Sequence, residues 1–121
     1  MDMSTPDFVI IGGGLAGCEC ALALSRAHLP CTIYEQKPEA FSPAHTSPLL
    51  GELVCSNSFR SNDAQSSGVG LLKQEMRALS SVTMDIAAHC SVPAGKALAV
   101  DRTLFSEELT RRVEQDPLIT L

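Results

Sequence analysis

At 121 residues the chain has room for one domain with a modest core. Its 45% hydrophobic and 19% charged residues exclude a disordered segment, and a formal net charge of −5 excludes a basic nucleic-acid platform by composition. No apolar run approaches a membrane span, and Met1 to Asp7 carries no cationic leader signature, so the expectation is a cytoplasmic protein without a membrane partner.

Taken in chain order, the first unit runs from Asp7 to Glu35. Four apolar residues, Phe8 to Ile11, form a strand that enters the turn Gly12-Gly13-Gly14-Leu15-Ala16-Gly17. This is a G-x-G-x-x-G pattern between a strand and a helix, the arrangement that holds the pyrophosphate of a dinucleotide. Gly12 permits the tight turn, Gly14 lets the backbone approach a phosphate, and Gly17 lets the helix pack on the strand. The following Ala/Leu-rich stretch, Ala16 to Ala27, reads as that helix, and Cys31 to Tyr34 as a second strand ending in Glu35. Glu35 stands 18 positions after Gly17, near the offset of roughly 20 at which an acid takes the ribose hydroxyls. The bland alternative is a glycine-rich turn in an ordinary βα unit.

Pro38, Pro43 and Pro48 bar regular structure from Lys37 to Pro48, and Leu49 to Arg60 reads as a polar loop. From Gly68 a helix is predicted, with Leu72, Met76 and Leu79 as its apolar face and Lys73 and Arg77 on the other side. A further helix over Val82 to Cys90 precedes a turn, Ser91 to Gly95, and a short strand, Ala97 to Val100. Asp101 reads as the N-cap of a helix to Gln115 whose stripe is Phe105, Leu109 and Val113. Pro117 stops it, and Leu118 to Leu121 begins a strand. The predicted fold class is α/β, a Rossmann-like βαβ arrangement with a parallel sheet that is incomplete at the C-terminus.

Five cysteines, none in a C-x-x-C pair, argue against a disulfide framework or a structural metal. Cys18, Cys20 and Cys31 are expected as small core residues. Cys55 differs, because Glu52-Leu53-Val54-Cys55-Ser56-Asn57-Ser58-Phe59-Arg60 crowds a thiol, hydroxyls, an amide and a guanidinium into one segment. Spacing leaves two readings: a thiolate favoured by Arg60, or a packing residue beside Leu53 and Val54. His45 reads as a solvated loop residue, His28 and His89 as helix-end residues, and Arg111-Arg112 as a solvated basic C-terminal turn.

The glycine turn, Pro43-Ala44-His45, Glu52 to Ser58, Val92 to Gly95 and Ala97 to Arg102 together resemble the TrmFO family. These are folate- and FAD-dependent tRNA uracil-5-methyltransferases, also known as glucose-inhibited division protein A-like. The resemblance covers nearly the whole chain. It departs at Ala44-His45-Thr46-Ser47, where the family usually has a second histidine, and at Phe59 and Lys96, where the family usually has leucine and glycine. It implies FAD as cofactor, methylenetetrahydrofolate as one-carbon donor, NAD(P)H as reductant and tRNA as partner. By the same resemblance, Gly12, Gly13, Gly14, Leu15, Ala16, Gly17 and Glu35 hold FAD and Cys55 is catalytic. Ser56, Asn57 and Arg60 line the site. Uracil C5 is a poor nucleophile until a group such as a thiolate adds at C6, which explains a cysteine in this motif. Residues 1–121 are expected to be the N-terminal part of the FAD domain, without its remainder and an insertion domain, and not competent alone. The alternatives are a non-catalytic dinucleotide-binding remnant and a related FAD enzyme acting on a wobble or ribosomal uridine.

Overall fold

The computed structural model describes residues 8–121, so Asp7 and the acidic start lie outside the described residues. Strand β1 (Phe8–Ile11) passes through the glycine turn into helix α1 (Leu15–Arg26), and β2 (Cys31–Tyr34) returns parallel to β1. The register sets Phe8 opposite Cys31 and Ile10 opposite Ile33, so these four side chains share one face. Cys31 and Ile33 are buried there under α1, whose inner face is Cys18, Ala21 and Leu22. The C-terminal strand β6 (Ile119–Thr120) pairs parallel with the other side of β2, completing a sheet of order β1-β2-β6. The expected parallel α/β unit is therefore present.

A second sheet was not anticipated. Strand β3 (Ser58–Ser61) falls inside the segment read as a loop, and β4 (Ser91–Val92) inside the segment read as a turn. Both pair antiparallel with β5 (Ala97–Val100), giving the order β3-β5-β4. Strands of two to four residues rich in serine carry too little apolar alternation to be seen in sequence. This sheet docks through β5, whose Leu98, Ala99 and Val100 are buried, and through Phe59, whose ring meets Phe105 edge-on at 5.5 Å.

Helix α2 (Gly68–Ala78) forms where expected but faces the other way. Leu72 and Leu79 are 56% and 78% exposed, whereas Lys73 is 6% exposed. The Lys73 ammonium donates to the carbonyls of Ser61 and Val69 at 3.0 and 3.1 Å, which lets a charged residue occupy the inner face. Helix α3 (Val82–His89) buries Met84, Ile86 and Ala87, and α4 (Arg102–Gln115) buries Phe105, Leu109 and Val113 as the stripe predicts. Asp101 caps α4 through a bond from Leu104 N–H to its carboxylate at 3.0 Å. Helices α1, α3 and α4 pack together over one face of the parallel sheet. On its other face Val9, Ile11 and Tyr34 are exposed. Cys18 and Cys31 are core residues as expected, but Cys20 is exposed, on the outer side of α1.

Candidate functional site

The turn after β1 is shaped by two glycines. Gly12 has a φ of +105°, a conformation that L side chains rarely adopt, and its N–H donates to the Tyr34 carbonyl at 2.8 Å. At Gly17 a Cβ would fall 2.0 Å from the Gly12 carbonyl oxygen, so only glycine lets α1 lie this close. Gly14, the N-cap, faces open space: a Cβ there would meet nothing within 4 Å. No side chain caps α1 and no acid lies in its first turn, so the free N–H groups at this end suit an anion.

Glu35 follows β2 and grips the turn. Its Oε2 accepts the Gly13 N–H at 2.6 Å and its Oε1 accepts the Lys37 N–H at 2.9 Å. Partial burial would raise its pKa, but these backbone donors and the Lys37 charge hold it below the ordinary carboxylate range. Each oxygen keeps a lone pair, enough for two vicinal hydroxyls. Beside it Lys37, with a side chain 4% exposed, donates to the carbonyls of Ser47 and Leu49 at 2.9 and 2.6 Å and to Glu52 Oε2 at 3.3 Å. Glu52 Oε1 in turn accepts from Thr46 N–H, Thr46 hydroxyl and Ser47 N–H. Burial opposes its ionisation, yet the Thr46 and Ser47 donors with Lys37 outweigh that and hold its pKa at about 2.

The segment carrying Cys55 is tied to the same turn. Gly51 N–H donates to the Gly13 carbonyl at 2.9 Å, Leu50 N–H to the Thr110 hydroxyl at 2.9 Å, and Ser106 hydroxyl to the Gly51 carbonyl at 3.4 Å. Three hollows follow one another along this segment. A cleft of about 560 Å³ is lined by Gly12, Gly13, Gly14, Tyr34, Glu35, Lys37, His45 and Glu52. A cavity of about 290 Å³ shares Glu52 as a wall and extends past Leu53 and Val54 to Arg102. Arg102 also walls the third, of about 490 Å³, together with Cys55, Ser56, Asn57 and Asp101.

The expected site residues therefore fall into two groups. Gly12, Gly13, Gly14 and Glu35 line the first cleft, with Leu15, Ala16 and Gly17 in the helical turn behind it. Cys55, Ser56 and Asn57 line the third cavity, and Cys55 is exposed. Ser56 hydroxyl accepts the Ser58 N–H at 3.0 Å and the Asn57 carbonyl accepts the Val100 N–H at 2.9 Å, which fixes the loop against the second sheet. Arg60 lines neither hollow. The guanidinium that shares a wall with Cys55 is that of Arg102, which donates to the Leu53 carbonyl at 3.3 Å. His45, expected in solvent, is half-buried in the first cleft with its ring bonded to the Ser42 hydroxyl. Sequence reasoning passed over Lys37, Glu52 and Arg102 as site residues. The Pro that follows Lys37 and the motif that begins with Glu52 were their only local signals.

Cys18, Cys31 and Cys90 are chemically quiet thiols. Burial first, then the Glu35 and Glu19 charges, push Cys18 up to about 12, and burial also raises Cys31 and Cys90. Among the described residues no three His, Cys, Asp or Glu side chains gather as metal ligands, and no helix is long and apolar enough to cross a membrane.

A family model described as "Glucose inhibited division protein A" matches residues 7–121. A protein of Lawsonia intracellularis named methylenetetrahydrofolate–tRNA-(uracil-5-)-methyltransferase TrmFO is 59% identical over 119 residues, which is 98% of this chain and 26% of that protein. A protein of the same name from Nitratidesulfovibrio vulgaris is 64% identical over 112 residues, 93% of this chain and 23% of its own length. One from Bartonella henselae is 50% identical over 119 residues, 98% of this chain and 25% of its own. The chain spans about a quarter of the length of these relatives.

Proposed function

Because the chain belongs to the glucose inhibited division protein A family, we propose that it forms the dinucleotide-binding part of a folate- and FAD-dependent tRNA uracil-5-methyltransferase. One observation carries this reading: the glycine turn, Glu35 and the Cys55 segment are joined by direct hydrogen bonds through Gly13, Lys37, Glu52 and Gly51. In this reading the dinucleotide cleft and the Cys55 thiol share one hydrogen-bonded frame.

The cleft fits an FAD diphosphate and ribose. Gly14 opens on free space at the positive end of α1, and Glu35 offers an acceptor on each oxygen to a ribose 2′- and 3′-hydroxyl. FAD, when bound, supplies the redox step that takes a folate-borne one-carbon unit to a methyl group, with NAD(P)H as reductant. Gly12 to Gly17 and Glu35 bind and orient the dinucleotide. Cys55, exposed beside Arg102, Ser56 and Asn57, supplies the thiol for uracil chemistry, and Arg102 steadies the Leu53 carbonyl two residues before it. The substrate in this reading is a uridine of tRNA, and the compartment is the cytoplasm.

Titration of the purified chain with FAD tests the first half. Saturable quenching of flavin fluorescence is expected, and it should weaken at least tenfold in Glu35→Gln. Equal binding by parent and variant would remove the glycine cleft as the flavin site. Placed in a full-length relative, Cys55→Ala should abolish 5-methyluridine formation and leave flavin bound; retained methylation would take Cys55 out of the mechanism.

A further inference from the structure

We propose that the cationic side chains gathered around residues 60–62 form a contact surface for the phosphodiester backbone of RNA. The proposal rests on the reading of this protein as an RNA-modifying enzyme, and its evidence is separate from the flavin cleft.

The chain has nine Lys and Arg residues. Four are neutralised by carboxylates: Lys37 by Glu52, Lys96 by Asp63, Arg111 by Glu108, and Arg112 by Glu108 and Asp85. Arg26, Arg60, Lys73, Arg77 and Arg102 have no carboxylate within ion-pair distance among the described residues. Three of these five meet at one place. Lys73 donates to the Ser61 carbonyl at 3.0 Å, Arg77 donates to the Asn62 side-chain oxygen at 2.5 Å, and Arg60 stands in the same three-residue stretch. The one acid at the stretch, Asp63, is taken by Lys96, the Ser66 hydroxyl and the Gln65 N–H. Lys73 is buried and serves as a charge beneath the surface, so the groups presented to a ligand are the exposed guanidinium groups of Arg60 and Arg77, in a chain whose formal net charge is −5.

Such crowding is unfavourable in the free protein. The Lys73 pKa lies below its ordinary value, through burial first and then the charges of Arg77 and Arg60. A bound anion relieves that repulsion. Arg60 shows a second sign of use: its φ is +68°, a left-handed conformation that L side chains rarely adopt. It sits at the irregularity between Ser58 and Ser61 in the pairing with β5, where a bulge re-aims a side chain. Its own side chain is exposed and has no protein partner among the described residues.

Location selects the ligand. Arg60, Lys73 and Arg77 lie outside the glycine-turn cleft and the Cys55 cavity, and Arg77 also walls a hollow of about 420 Å³ with Ser80, Ser81 and Asp85. The exposed Arg60 and Arg77 therefore suit a polyanion lying across the surface rather than a cofactor. Arg60 follows Cys55 by five residues, so even a fully extended chain keeps them within about 17 Å. An RNA strand presenting a uridine at Cys55 passes this surface.

Fluorescence anisotropy with a fluorescein-labelled, uridine-containing RNA hairpin tests it on the 121-residue chain. Arg60→Gln/Arg77→Gln should weaken binding at least tenfold at low salt. The slope of log K against log salt should also fall by about 1 to 2, since each lost phosphate contact removes about 0.7 to 0.9. The charge-matched pair Arg26→Gln/Arg111→Gln should stay within twofold of the parent. Equal losses in both pairs, or no loss in the first, would overturn the surface. So would a parent chain that binds flavin but no RNA, and that result leaves the flavin reading standing. RNA binding that follows the predicted pattern without any flavin binding supports the surface and defeats the flavin reading instead.

Discussion

Replacing Lys37 with methionine removes the ammonium that ties the end of β2 to the segment from Ser47 to Glu52 and leaves the backbone N–H bond to Glu35 in place. Three acceptors then lose a donor: the carbonyls of Ser47 and Leu49 and one oxygen of Glu52. Breaking a buried ion pair from one side costs about 3–5 kcal/mol. Glu52 is 12% exposed and keeps its bonds from Thr46 and Ser47, so the low end, about 3 kcal/mol, applies. An unfolding entropy of about 2.1 cal/mol/K per residue over 121 residues makes that about 12 °C in melting temperature. Circular-dichroism melts of Lys37→Met at pH 7 measure it. A fall of less than about 4 °C would refute the reasoning, because a loss near 1 kcal/mol is what an exposed pair gives. The double variant Lys37→Met/Glu52→Gln supplies the internal check. Its cost should be smaller than the sum of the two singles, since the uncompensated carboxylate is gone; strict additivity would show that the two groups do not interact.

Acid should unfold the chain partly through the same pair. The folded-state pKa of Glu52, about 2, lies below its ordinary 4.5, so protonation favours the unfolded state. Its stabilisation is complete above about pH 4.5 and lost as pH falls toward 2, and urea midpoints in Glu52→Gln should show a flatter decline over that window. Gly14→Ala should weaken FAD binding at least tenfold while changing stability by no more than about 1 kcal/mol, the difference between glycine and alanine at an N-cap. Gly17→Ala, whose Cβ would overlap the Gly12 carbonyl, should destabilise the whole chain by more than about 3 kcal/mol, seen as a lost or broadened melting transition. If both variants lose flavin and fold together, the division of labour within the turn is wrong.

What sequence made legible was the part governed by local backbone demands. Gly12 needs a positive φ, Gly17 needs contact distance, Asp101 needs an N-terminal helix turn to cap, and each demand leaves one residue type at a fixed offset. The α4 stripe was readable for a similar reason, since Phe105, Leu109 and Val113 recur at helical spacing and all are buried. Helix α2 was not. Its apolar residues have the right period, but a lysine whose ammonium finds two carbonyls can occupy the inner face, and those carbonyls belong to backbone 12 and 4 residues away. The second sheet was hidden because β3 finds its partner far along the chain, Ser58 facing Ala99, and because β4 is only two residues long. Likewise Arg102, rather than the nearby Arg60, shares a wall with Cys55 because α4 starts there, 47 positions on.

The sorting of the thiols between interior and surface makes the chain self-reporting. Cys18 lies against the glycine turn with its thiol aimed at the Gly13 carbonyl, and Cys31 points at the Ala21 carbonyl under α1. Both are closed to alkylating agents and peroxides while the fold holds, whereas Cys20 and Cys55 stand open. Brief exposure to a maleimide therefore marks Cys20 and Cys55 first and the half-buried Cys90 more slowly, as mass mapping of the peptides resolves. Adducts at Cys18 or Cys31 count the molecules whose turn and first helix have come apart. The residues that close the glycine-turn cleft from behind thus carry their own tamper seal, and the same sample can be read for integrity before any cofactor is added.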